Sequence, residues 1–408
     1  MMKITKRRKI ILSSVLVAMV AITAGFEISS SQVMEPISQT GDIKEMDDVL
    51  LVSQKNIAGR TRFATFGKDG KKIEYGKNFL TKNFVKSNIG LRGYINLTKK
   101  NMFDTYDLTV GDKIYFISQK IENEKNSLVV NIQDKKSNST TDKEINIKDE
   151  DLNSRLNGFN LTGFVEKDGK FYTLVTSSEE IIYVLSLDMD KCSYKIVDSS
   201  EDIQGFSPSL FVQSWNENDK YIYLLMKNVN VQDENVASNY ILRYDFKTEK
   251  FLKPLPLEEI EVRNGFEDIE NLFLHENTAD KFIVYTVNAK DKHLYKLTYN
   301  LENMKFEKKE KLNLTFNSIV TDYRLFDNRF VGGNSDDSRV VLLNGKIYYI
   351  SLVKTNILRN DNSMANSEVN IDGMNISTLK IFDIEKNKVV YEADFDSLEI
   401  ETPIFVRK

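Results

Sequence analysis

The chain has 408 residues, 41% of them hydrophobic and 11% aromatic, which supplies a large core and excludes wholesale disorder. Its 56 basic and 60 acidic side chains are interspersed and give a formal net charge of −4, so there is no basic stripe to neutralise phosphates and nucleic acid is excluded as the expected partner. The single cysteine, Cys192, excludes an intramolecular disulfide and a cysteine-based zinc cluster, which leaves packing to hold the fold and gives this thiol no expected role.

In chain order, the first element is a basic stretch, Lys3, Lys6, Arg7, Arg8 and Lys9, followed by an uncharged run from Ile10 to Phe26. Globular helices rarely begin with five bases and then lack a polar face, so residues 1–28 are expected to be a signal peptide or a signal-anchor transmembrane helix. Thr23-Ala24-Gly25 offers small residues for cleavage, and no cysteine follows to make a lipoprotein. The basic end stays inside by the positive-inside rule, so the rest of the chain is extracytoplasmic, anchored or released. Residues 29–46, with Ser29-Ser30-Ser31, Pro36 and Gly41, are expected to be a tether.

From residue 47 onward the sequence repeats. A polar turn leads into an aromatic-rich alternating strand at Gly111-Asp112-Lys113, Asp168-Gly169-Lys170, Asn218-Asp219-Lys220, Ala279-Asp280-Lys281 and Asn344-Gly345-Lys346. The Asp-Gly and Asn-Gly members tolerate the positive φ of tight hairpin turns. A second hairpin follows each, beginning near Arg60, Tyr183, Ile241, Leu294 and Leu379, with a degenerate copy from Leu128 to Ile147. Each unit thus holds four strands, A to D, alternating with period two. Six such units predict an all-β β-propeller over residues 47–408, and strand-like material between Leu314 and Gly333 leaves a seventh blade open. A β-sandwich would have no reason to repeat one hairpin pair six times.

The C–D hairpins, as in Tyr244-Asp245-Phe246 with Glu249-Lys250-Phe251, resemble those of bacterial extracytoplasmic β-propeller repeat proteins of the TolB-like and surface-exposed kinds. The resemblance implies a fold and no activity. The first unit starts with strand B at residues 49–54, and the chain's last strand-like segment, residues 402–407, has no B, C or D after it. Pairing the two would complete blade one and remove an open edge.

Chemistry-bearing motifs are scarce. His275 and His293 are the two histidines, each read as a turn or surface residue, and no nucleophile elbow, P-loop or zinc-protease motif is present. Glu368, Asn370, Asp372 and Gly373 begin like a calcium loop, but the twelfth position is Leu379, so no metal and no cofactor is expected. Trp215 is read as a structural aromatic. In a four-stranded meander the A–B and C–D turns share one face, and the B–C loops and D–A crossovers share the other. The long connections, 78–100, 227–238, 314–337 and 354–375, belong to the second class, with 134–143 the exception. Long loops in a compact fold carry function, which makes Arg92, Tyr94, Asp233, Glu234, Arg263, Arg359 and Asp361 the candidate binding patch. The expected function is a cell-envelope binding or scaffolding module for a protein, peptide or glycan. The alternative, an extracellular hydrolase or lyase using carboxylates on polysaccharide, lacks any catalytic signature in the sequence.

Overall fold

The computed structural model describes residues 36–57, 60–68, 73–75, 103–122, 125–147, 160–177, 181–201, 203, 210–228, 239–257, 273–278, 280–288, 291–316, 322–325, 339–351, 376–396 and 403–407. Their strands, numbered in chain order, fall into six sheets arranged as propeller blades, antiparallel throughout except for one pair, β22 with β23. Blade one pairs β2 (Val49–Ile57), β3 (Arg60–Phe66) and β4 (Ile73–Tyr75) with β27 (Pro403–Arg407), the last strand of the chain. Blade two is β5 (Phe103–Val110), β6 (Lys113–Glu122), β7 (Lys125–Asp134) and β8 (Thr140–Asn146). Blade three is β9 (Asn160–Lys167), β10 (Lys170–Thr176), β11 (Ile182–Asp188) and β12 (Ser193–Ser199).

Blade four is β13 (Leu210–Glu217), β14 (Tyr221–Asn228) and β15 (Asn239–Asp245), with its outer strand broken into β16 (Lys250–Phe251) and β17 (Leu255–Pro256). Blade five is β18 (Phe273–Asn277), β19 (Lys281–Val287), β20 (His293–Asn300) and β21 (Phe306–Thr315). Blade six is β23 (Arg339–Leu343), β24 (Lys346–Ser351), β25 (Ile376–Asp383) and β26 (Lys388–Asp396), with two additions. β22 (Asp322–Leu325) lies parallel to β23 on its inner edge and touches β13 and β18, while β1 (Ser38–Gly41) covers the outer edge of β26. Residues 322–325, the described strand within 314–333, therefore add an inner strand to blade six, and the described strands make six blades.

The strands form where β-branched and aromatic residues alternate, because each blade is buried on both faces by its neighbours. Apolar clusters run between successive blades: Leu108, Ile117 and Leu128 meet Phe164 and Val175 between blades two and three. Val165 and Leu174 meet Trp215 and Leu224 between three and four, and Tyr223 and Ile241 meet Phe282 and Leu297 between four and five. Ile283 and Tyr285 meet Val340 and Ile347 between five and six. One cluster joins blades six, one and two through Tyr348, Leu379, Leu51, Phe66 and Phe116, which completes the ring. Each such side chain contributes about 1.5–3 kcal/mol relative to exposure. Trp215, 3% exposed, approaches so closely that a Cβ at Gly163 of the preceding blade would lie 2.6 Å from its ring.

Two segments differ from their sequence readings. Residues 29–46 were expected to be a tether, but their described part is docked: β1 pairs with β26, Ile43–Met46 forms a 3-10 helix capped by Asp42, and Met46 is fully buried. A four-residue edge strand without apolar alternation leaves no periodic signal. Residues 134–143 were read as a long C–D connection, yet the turn is tight and β8 resumes at Thr140. Thr140, Thr141 and Asp142 are exposed on an outer strand, where polar residues are tolerated and the pattern reads as loop. Among the described residues no helix is long and apolar enough to cross a membrane, and the apolar run at 10–26 lies outside them.

Candidate functional site

The turns divide into two populations. The A–B turns after β5, β9 and β23 are two-residue hairpins, and Asp168 (φ 53°) with Gly169 (φ 78°) and Asn344 (φ 51°) with Gly345 (φ 71°) adopt the left-handed pair that such turns require. Five C–D turns share another geometry. Asp134, Asp188, Asp245, Asn300 and Asp383 open them, each accepting backbone N–H bonds from two or three residues ahead, as in Ser137 N to Asp134 Oδ1 at 2.8 Å. The fifth residue is left-handed each time: Asn138, Cys192, Glu249, Met304 and Asn387.

From blade three onward these turns dock on the outer part of the preceding blade. Lys143 Nζ of blade two donates to Met189 O at 2.7 Å, and Tyr172 Oη of blade three donates to Glu249 at 3.5 Å. Lys250 Nζ and Phe251 N of blade four donate to Asp198 of blade three at 2.7 and 2.8 Å. Arg243 of blade four donates to Glu302 O at 3.3 Å, and Asn313 N of blade five donates to Asn387 Oδ1 at 2.8 Å. The tight turns thus spend their polar groups on joining blades.

On the other side, Lys120 pairs with Glu122 and Glu144 at the β6–β7 end of blade two, and a tighter cluster stands at the β19–β20 connection of blade five. Asp291 Oδ2 accepts from Lys311 Nζ and from Tyr295 Oη, both at 2.8 Å, and Asp291 Oδ1 accepts from His293 N at 3.1 Å. Burial by itself would raise the carboxyl, but the bonds from Lys311, Tyr295 and the His293 backbone outweigh it and hold Asp291 down to about 2. The Lys311 ammonium is pushed up by the same contact. Lys309 Nζ lies 5.2 Å from the Tyr295 ring centroid. Asp291 is therefore a fixed anion near neutral pH; its chemistry is to orient and bind, since general acid–base work needs a pKa near the working pH. His293 also turns its Nδ1 to within 2.8 Å of Asp291 O.

The predicted patch residues Arg92, Tyr94, Asp233, Glu234, Arg263, Arg359 and Asp361 all lie outside the described residues. The Asp291 cluster was missed because Lys311 is twenty residues away on another strand; the legible signal was Tyr295 and His293 on one face of an alternating strand beginning at a turn. Among the described residues no three His, Cys, Asp or Glu side chains converge as metal ligands.

No protein-family model matches the chain, and no curated protein matches it. The solved structures to which it is similar are of varied kinds. The β-propeller domain of the trilobed protease from Pyrococcus furiosus, described as having an open velcro topology, aligns over 71% of this chain and 69% of that one, at 12% identity and a TM-score of 0.33. A GH43_1 enzyme from Xanthomonas citri complexed with xylose aligns over 61% and 82%, at 11% identity and 0.36. A Synechocystis apocarotenoid oxygenase mutant aligns over 92% and 96%, at 8% identity and 0.43. At these identities and TM-scores the activities stay with those proteins. The six sheets of the described residues, closed into a ring by the cluster joining blades six, one and two, define the class by themselves: a six-bladed β-propeller.

Proposed function

We propose that the propeller is an extracytoplasmic binding module, held at the outer face of a membrane, which presents its B–C loops and D–A crossovers to a protein, peptide or glycan of the cell envelope. The observation that carries this reading is that the longest connections between described strands all fall on one side, beside two short B–C hairpins at β2–β3 and β6–β7. The A–B and C–D turns that are described are tight, and several are committed to joining blades. The chain between described strands at 76–102, 229–238, 258–272 and 352–375 is long, and all of it belongs to the other class. The Asp291–Lys311–Tyr295 cluster adds a fixed polar feature on that side.

The test is to shorten 354–375 to a tight turn and measure melting and partner recovery from native membranes beside the unmodified protein. The expected result is unchanged melting with lost recovery. Full recovery by this variant, with loss on changing surface residues in the Asp134–Lys143 hairpin, would refute the assignment of faces.

A further inference from the structure

Blades six and one are fastened to each other at two places. At the inner edge, β27 follows blade six in the chain and is held to β2 of blade one by the ladder from Ser53–Pro403 to Val49–Arg407. At the outer edge the relation is reversed: residues 37–48 lead directly into β2 and are held to blade six. β1 pairs with β26 from Ser38–Asp394 to Gly41–Tyr391. Ile37 N donates to Asp394 O and Ser38 Oγ to Asp394 Oδ2, both at 2.7 Å, and Tyr391 Oη donates to Gln39 Oε1 at 3.2 Å. Farther along, Lys346 pairs with Glu45, Tyr348 Oη donates to Glu45 O at 3.3 Å, and Asn344 Nδ2 donates to Asp48 Oδ2 at 3.2 Å. Met46 is fully buried in the cluster shared by blades six, one and two.

The two fastenings act in parallel, so β2 parts from blade six only when both release. They are built differently. The inner ladder is buried, with Phe405 and Val406 packed in the shared cluster. The outer one is graded along its length: Ser38, Gln39, Thr40 and Gly41 are all exposed and bring no large apolar side chain to β26, whereas Met46 and the Glu45–Lys346 pair hold the 3-10 helix down. A strand with little buried apolar surface opens at the low end of the range of local stabilities. β1 is therefore the part of the seam that gives first.

We infer that residues 37–48 are a strap that locks the seam between blades six and one from the outside, and that unzipping β1 is the built-in route to a loosened seam. With β1 paired, β2 is tied to blade six at both edges of the sheet. With β1 released, the strap is held only by its 3-10 half, and the β2–β27 ladder opens more often while the ring stays closed. The strap thus couples the exposed edge of blade six to the buried ladder of blade one, two places that share no hydrogen bond.

The experiment is amide hydrogen exchange read by mass spectrometry on the full chain and two full-length variants. Gln39→Pro removes a backbone N–H from β1 and the side-chain acceptor of Tyr391 Oη. Exchange is expected to rise about fivefold or more along β26 and also in β2 and β27, and to stay unchanged in blades three and four. The second variant, Thr40→Cys with Glu392→Cys on a Cys192→Ser background, sets a disulfide across a registered pair of β1 and β26. Its oxidised form is expected to exchange more slowly in β2 and β27 than its reduced form, by a similar factor. A rise confined to β26 in Gln39→Pro, or equal exchange of β2 and β27 in the oxidised and reduced forms, overturns the lock and leaves β1 as the cover of one edge. If Gln39→Pro does not fold, the comparison of oxidised with reduced protein decides alone.

Discussion

At the scale of single residues, the repeated C–D turn explains several side chains that look arbitrary in sequence. Cys192, Glu249, Met304 and Asn387 share one backbone state, φ between 48° and 58°, and one position in the turn. The left-handed state costs a non-glycine residue about 1–2 kcal/mol, offset by the Asx bonds at the turn's start and by contact with the preceding blade. The thiol of Cys192 thus occupies a position set by geometry, which is why the sequence gives it no partner. Replacing Asp383 by Ala removes acceptors for Lys386 N at 2.9 Å and Lys386 Nζ at 2.7 Å and is expected to cost about 1–2 kcal/mol in a denaturant melt. Asp134, Asp188 and Asp383 are all held below the usual carboxylate range, by hydrogen bonds from Ser137, Lys191 and Lys386 respectively, and Asp291 to about 2. A depressed carboxyl stabilises the fold above its unfolded value near 4 and loses that contribution as pH falls through the folded value. Melting temperature should therefore fall between about pH 4 and pH 2. In Asp291→Asn the part of that fall owed to Asp291 should be missing, and its retention would assign the acid sensitivity to the other depressed carboxyls, the turn aspartates and Glu122.

At the scale of elements, blade one takes its inner strand from the far end of the sequence. Ser53 to Val49 pair with Pro403 to Arg407, and Phe405 and Val406 are buried in the cluster that spans blades six, one and two. This pairing was legible because an abrupt strand B at one end and an orphan strand at the other leave two edges that sheets avoid. Deleting residues 401–408 should lower stability by several kcal/mol; unchanged melting would mean that the ring holds without it. The opposite chain end was not legible. β1 is short and exposed, and the segment's one strong constraint is Gly41, at φ 88°, where an added Cβ would lie 2.1 Å from Val390 O. Gly41→Ala should cost about 1–3 kcal/mol and, if β1 seals the blade-six edge, should raise hydrogen exchange along β26.

At the scale of the whole molecule, period-two alternation with turns at regular spacing was enough to specify a propeller of six blades with a seventh left open, because each blade is one hairpin pair that must bury both faces on its neighbours. It did not place β22, which pairs in parallel with β23 and packs on β13 and β18, partners far away in sequence. Function is less legible for a physical reason: core strands are constrained by packing, whereas a recognition surface is built from connections whose residues obey only the partner. The decisive measurement is site-specific photo-crosslinking in native membranes, with the photoreactive group at Arg359 or Asp233 among the long connections, or at Lys136 or Asp168 among the tight turns. A binding module working through its long-connection side gives a discrete adduct from Arg359 or Asp233 and none from Lys136 or Asp168. A discrete adduct from the tight-turn positions alone would contradict it.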